Sequence, residues 1–102
     1  MRVRFTSSAT RQLNAILNHI AADNMDAARA VSSRVEAITA MLAENPKLGR
    51  KLSASRLRRF PVKPYPYLIY YEVTADVVKI VRMRHAARFR RAFQEPQQAF
   101  AR

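Results

Sequence analysis

The residues best suited to binding or catalysis are basic and lie in the second half of the chain. Residues 47–91 hold 13 of the 19 lysines and arginines, and only Glu72 and Asp76 as acids. This segment therefore carries a charge of +11 out of the chain's net +12, whereas residues 1–46 are almost neutral. Such a polarised charge predicts a surface for an anionic macromolecule, either a nucleic acid or an acidic protein.

One reaction that clustered arginines can assist is metal-free RNA cleavage, which also needs a general base and a general acid. Arg59, Arg82 and Arg84 could supply the cations at one end of a sheet, and His85 follows them in the chain. Ala86 comes next, only phenylalanines offer aromatic rings after Met83, and residues 49–57 contain no acid. No catalytic residue is therefore favoured. If the chain is a ribonuclease, the candidates are Arg59, Arg82 and His85, although a histidine ending a strand more often binds neighbouring backbone.

Length and composition indicate one soluble globular domain. The chain has 102 residues, 49% of them hydrophobic, no cysteine and two histidines, so neither a metal nor a cofactor is expected. No apolar run approaches the roughly 20 residues of a membrane span, and residues 1–8 lack the apolar core of a signal peptide. A cytoplasmic location without a membrane partner is the resulting expectation.

The first half of the chain predicts a short strand over residues 2–5 and then two helices. One apolar helical stripe runs from Ala9 to Ile20, in a helix expected to end near Ala22. Asn24 is the expected cap of the second helix, and Asn45 before Pro46 is its expected end. So short a connection predicts an antiparallel helical hairpin. The apolar stripe of the second helix consists of Ala27, Val31, Val35, Ile38 and Leu42.

The second half predicts a polar connector over residues 47–55 and then strands over residues 60–62, 67–73 and 77–83. The apolar run 68–71 is typical of a central strand covered on both faces. Regular alternation places Arg82 and Arg84 on the face of Val78 and Ile80, with Glu72 as a candidate partner for one arginine. Residues 86–93 are expected to form a short helix. The predicted fold class is α+β: an N-terminal strand, the helical hairpin, then a three-strand antiparallel meander with the hairpin on one face.

Five segments in this order resemble the ParE/RelE superfamily of toxins from type II toxin–antitoxin systems. They are FTSSATRQL, MLAENPKLGRKL, RRFPV, YPYLIYYEV and VVKIVRMRHAAR, which together span about residues 3–91. The long hairpin, and the ending HAAR in place of one with a tyrosine, favour the ParE branch. The resemblance implies one toxin domain over residues 1–93 and a tail over residues 94–102.

The resemblance to ParE implies inhibition of DNA gyrase and neutralisation by a cognate acidic, ParD-like antitoxin in a hetero-oligomer. The alternative, from the RelE branch, is a ribosome-dependent mRNA endonuclease, so whether the chain is an enzyme stays open, with a binding protein favoured. The residues expected to bind the target are Arg58, Arg59, Arg82, Arg84, His85 and Arg88. The residues expected to bind the antitoxin are Leu13, Leu17, Arg58, Tyr67 and Arg82.

Overall fold

The computed structural model describes residues 1–87, which form two helices against a five-stranded mixed sheet. Arg88, most of the helix expected over residues 86–93 and the whole of the 94–102 tail lie outside the described residues. Within residues 1–87, neither helix combines the length and apolar character needed to cross a membrane.

Local capping signals set the bounds of the helices. Strand β1 spans Arg2–Phe5, helix α1 spans Ser7–Asp23 and helix α2 spans Met25–Glu44. Thr6 Oγ1 accepts the Ala9 N–H at 3.1 Å, and Asn24 Oδ1 accepts the Ala27 N–H at 3.0 Å. Because Asn24 alone separates the helices, they fold back as an antiparallel hairpin. The helical predictions are thus confirmed, with α1 one residue longer than expected.

The sheet has the order β1-β5-β4-β3-β2. A 3₁₀ turn at Pro46–Leu48 leads into β2 (Arg50–Lys51), which is followed by β3 (Arg58–Pro61), β4 (Tyr67–Val73) and β5 (Val77–His85). Strands β3, β4 and β5 form the expected antiparallel meander, and β1 joins β5 in parallel. Strand β2 was not predicted, because two basic residues carry no apolar alternation.

The core lies between the helical hairpin and one face of the sheet, which we call the helix face. The hairpin and the sheet both contribute side chains that are almost fully buried. The opposite side of the sheet, on which neither described helix packs, is called the open face. The buried core residues are Ala9, Val31, Val35, Ile38 and Leu42 from the helices and Val62, Ile69, Tyr71, Val78, Ile80 and Met83 from the sheet side.

A β-bulge in β5 decides which face each of its later residues occupies. Tyr71 lies opposite Ile80, but Tyr70 lies opposite Arg82, so Val81 is an extra residue in β5. The alternation therefore shifts by one residue, and Met83 returns to the buried side. Consequently Arg82 and the following Arg84 lie on the open face. The expectation that both continue the row of Val78 and Ile80 was wrong, because regular alternation does not allow for the bulge.

Candidate functional site

The open face carries a sheet-wide array of cations. Strand register places basic residues on this face from all strands except β4, which contributes Glu72. Glu72 Oε1 lies 3.3 Å from Lys79 Nζ, so this acid pairs with a lysine and not with an arginine as expected. Among the described residues, the cations of the open face are Arg2, Arg4, Arg50, Arg59, Lys79, Arg82 and Arg84.

Tyr70 lies at the centre of this array. It is opposite Arg59 on β3 and Arg82 on β5, and its residue is only 4% exposed. Burial raises the pKa of Tyr70, while the neighbouring Arg59, Arg84 and Arg82 act in the opposite direction. The structure thus brings together the three arginines that the sequence placed at one end of the sheet. As expected for the apolar run 68–71, β4 is the middle strand of the sheet, and Ile69, Tyr70 and Tyr71 are buried although their side chains alternate between the two faces.

His85 lies on the helix face, away from Arg59 and Arg82. Its ring and that of Tyr67 form an edge-to-face pair, with centroids 5.4 Å apart and planes at 87°. His85 Nδ1 accepts the Ala87 N–H at 3.1 Å, so the histidine holds the turn that follows β5, as the sequence indicated. The three candidate ribonuclease residues are therefore divided between opposite faces of the sheet.

The Tyr67–His85 pair borders an open cleft of about 540 Å³ between α1 and the ends of β4 and β5. Sequence reasoning missed this pair, because it considered only tyrosines after Met83, whereas Tyr67 precedes His85 and reaches it across the β4–β5 ladder. The lining residues are Gln12, Ala15, Ile16 and His19 from α1, and Tyr67, Met83, Arg84, His85 and Ala87.

Leu13 and Leu17 do not line this cleft, although they were the expected antitoxin contacts. Both are partly buried and pack against the core from α1. Gln12 has a more specific place, because its Oε1 accepts the Met83 N–H at 2.8 Å, beyond the point where β1 ends. Its side chain thus satisfies a donor at the edge of β5 that β1 does not reach.

Arg58 and Tyr71 fasten the beginning of the connector just after α2, at residues 46–49. Arg58 Nη1 donates to Gly49 O at 2.8 Å and to Lys47 O at 3.4 Å. Tyr71 Oη donates to Pro46 O at 2.7 Å and accepts the Gly49 N–H at 2.8 Å. Burial raises the pKa of Tyr71, against the lowering effects of the Gly49 N–H and of Arg58. Arg58 therefore has a structural role that its sequence position did not reveal.

No group of three metal-binding side chains occurs in the described part of the chain. Residues 1–87 thus offer two chemical features. The cationic side chains of the open face can bind anions, and the cleft brings a phenol beside an imidazole. These two features lie on opposite sides of the sheet and share only Arg84, which lines the cleft and also acts on Tyr70.

Comparison with solved structures shows that the fold is that of RelE-like toxins. The chain is similar to a structure described as the chromosomal ParDE toxin–antitoxin system from P. aeruginosa, with a TM-score of 0.71 and 19% identity. That match covers 83% of this chain and 95% of the other. It is also similar to YafQ from E. coli, with a TM-score of 0.55 and 14% identity, over 87% of this chain and 98% of the other.

Sequence comparison then gives the family. The chain is 40% identical over 87 residues to Toxin RelE2 of Caulobacter vibrioides, covering 85% of this chain and 97% of that protein. It is 35% identical over 85 residues to Putative toxin Y4kP of Sinorhizobium fredii, covering 83% and 88% respectively. The model of the ParE toxin of the type II toxin–antitoxin system parDE matches residues 3–89. The chain therefore belongs to the ParE toxin family.

Proposed function

We propose that this toxin binds and inhibits DNA gyrase, and that an acidic, ParD-like antitoxin holds it inactive in a hetero-oligomer. The observation that carries the proposal is the composition of the open face. Among residues 1–87, seven cations and one carboxylate lie there, a charge that attracts a large anionic or acidic partner.

The groups that could move a proton on the open face are poorly placed for catalysis. Glu72 is paired with Lys79, and Tyr70 is almost fully buried with its pKa raised. His85 lies on the other face of the sheet. Since RNA cleavage requires an acid and a base on the same phosphodiester, this arrangement favours binding over cleavage.

A second candidate function, a ribosome-dependent mRNA endonuclease, is favoured by the Tyr67–His85 pair. The imidazole and the phenol border an open cleft beside Arg84, which would supply a cation for the phosphate. The similarity to a protein named RelE2 points the same way. In this alternative, His85 and Tyr67 would exchange protons with the RNA, and Arg59 and Arg82 would not act in the same site.

The antitoxin is expected to contact both the helix face and the open face of the domain. An amphipathic helix of the antitoxin would contact α1 near Leu13 and Leu17 and reach Tyr67 on the helix face. Acidic residues of an extended antitoxin segment would contact Arg82 on the open face. Arg58 is a weaker candidate than Arg82, because its guanidinium already donates to the connector, whereas Arg82 is exposed.

Two assays on the purified toxin distinguish the candidates. Gyrase supercoiling should be inhibited by the wild type and much less by the double variant Arg82→Gln/Arg84→Gln. The matched control Arg11→Gln/Arg29→Gln removes two exposed charges from the helices and should retain inhibition.

In a translation extract, full-length transcripts should survive the wild-type toxin. The gyrase proposal would be abandoned if transcripts were cut, if His85→Ala and Tyr67→Phe abolished the cleavage, and if gyrase turnover were unchanged. An antitoxin whose acidic residues are neutralised tests the antitoxin contacts separately: it should bind the wild-type toxin more weakly, and Arg82→Gln should then cause little further loss.

A further inference from the structure

The charge of the open face is spread over the width of the sheet and does not follow one groove. Arg4 lies on β1 at one edge of the sheet, and Arg50 lies on β2 at the other. With strands about 4.8 Å apart, four intervals give a width of roughly 19 Å. An extended acidic peptide that adds along one edge would leave the cations of the other edge unused.

This width fits a nucleic acid duplex better than a single strand. The major groove of B-DNA is about 12 Å wide, so a surface of roughly 19 Å can contact phosphates on both sides of it. Single-strand binders add exposed aromatic rings, on which each stacked base gains about 1–3 kcal/mol. Among the described residues, Tyr70 is the aromatic residue of the open face, and at 4% exposure its ring is not available for stacking.

Within residues 1–87, the strands place a single carboxylate among the cations of the face. Glu72 pairs with Lys79, and no other carboxylate of the described strands lies on this face. Arg4, Arg50 and Arg82 are exposed to solvent. Phosphates can therefore reach these guanidinium groups without any rearrangement of the sheet.

We propose that the open face binds the phosphate backbone of double-stranded DNA without reading its sequence. Duplex binding would place the toxin on the DNA on which gyrase acts, but it does not depend on gyrase being the target. The seven cations that residues 1–87 place on the face allow about seven phosphate contacts from this part of the chain. At 0.9 per contact, the logarithm of the association constant should fall against the logarithm of salt concentration with a slope approaching about −6.

Fluorescence anisotropy of a labelled 20-base-pair duplex, titrated with the full chain at several salt concentrations, tests the proposal. The edge variant Arg4→Gln/Arg50→Gln should reduce the magnitude of the salt slope by about 1.8, which corresponds to two lost phosphate contacts. The control Arg11→Gln/Arg29→Gln has the same net charge as the edge variant and should leave the salt slope near the wild-type value. Glu72→Gln should tighten binding, because it removes the one carboxylate of the face.

Four results would overturn the proposal. A wild-type slope of magnitude below about 2 would mean that few phosphates are contacted. Equal losses in the edge variant and the helix control would mean that only net charge matters. Tighter binding of a single-stranded RNA of the same length, or equal competition by polyglutamate, would assign the face to a different class of partner. Since the wild-type slope and the competition experiments need no substitution, a poorly folded variant would not prevent a decision.

Discussion

Replacing Gly49 with alanine should destabilise the domain through contact with Tyr71 and not through backbone strain. Gly49 has φ −72° and ψ 150°, a conformation that any residue adopts. A β-carbon at this position, however, would lie 2.4 Å from Tyr71 Oη and 2.7 Å from Cε1. Ordinary contacts between carbon atoms are about 3.5–4.0 Å, so the tyrosine ring would have to move by about 1 Å.

The expected cost follows from the burial of Tyr71, which is 0% exposed. Overpacking a core costs about 1–3 kcal/mol. Displacing the ring also removes the Tyr71 acceptor from the buried Gly49 N–H, which costs a further 1–3 kcal/mol or so. We therefore expect Gly49→Ala to lower the free energy of unfolding by about 3 kcal/mol, and Tyr71→Phe to lower it by about 2 kcal/mol through the lost hydroxyl.

A double-mutant cycle, followed by urea denaturation with far-ultraviolet circular dichroism, isolates the interaction between these two residues. Once the hydroxyl is gone, alanine has less to displace, so the double variant should be about 1–2 kcal/mol more stable than the sum of the single losses. If Tyr71 did not constrain this position, Gly49→Ala would stabilise the protein by about 0.4–1 kcal/mol, because alanine reduces the entropy of the unfolded chain. A neutral or stabilising Gly49→Ala, or strict additivity, would refute the reasoning.

Three further predictions concern other parts of the described structure. Arg58→Gln should lower the free energy of unfolding by about 1–2 kcal/mol, because two backbone carbonyls lose a charged donor. Arg82→Gln on the open face should change it by no more than about 0.5 kcal/mol. Equal losses in urea denaturation would contradict the role of Arg58 in fastening the connector. Ala54 has φ 52°, so Ala54→Gly should leave the melting temperature equal or higher, with up to about 1 kcal/mol gained; a clear fall would show that the loop does not hold this conformation in solution. The pKa of both Tyr70 and Tyr71 is raised above 10.0 in the folded protein, so the unfolded chain loses these protons at lower pH than the folded chain. The contribution of these two residues to the free energy of unfolding should therefore be constant below about pH 10 and fall above it. Tyr71→Phe should make that alkaline fall shallower, and an unchanged pH profile would contradict it.

The helices were predictable because their signals are local. The caps at Thr6 and Asn24 and the stop before Pro46 act within one turn of the chain, and the apolar stripes repeat over several turns. Strand β2 has no comparable signal, since Arg50 and Lys51 take their conformation only from pairing with β3. A two-residue strand made of cations is indistinguishable from a loop until its partner is known.

The candidate site was predictable in composition but not in arrangement. The sequence identified Arg59, Arg82 and Arg84 as a group, but a single extra residue in β5 determines the face on which the last two lie. Neither the bulge at Val81 nor the consequent pairing of His85 with Tyr67 follows from periodicity. Both depend on how β4 and β5 align over their whole length, which a window of a few residues does not contain.

The parallel pairing of β1 with β5 has a consequence for synthesis of the protein. Val3 lies beside Val78, so β1, which is synthesised before the other described strands, gains its neighbour only after almost the whole described chain has been made. Until then, the apolar stripes of the hairpin lack the sheet that buries them, and contacts of such long sequence separation form slowly. A nascent chain interrupted before residue 77 would thus expose the hairpin without presenting the arginines of β5.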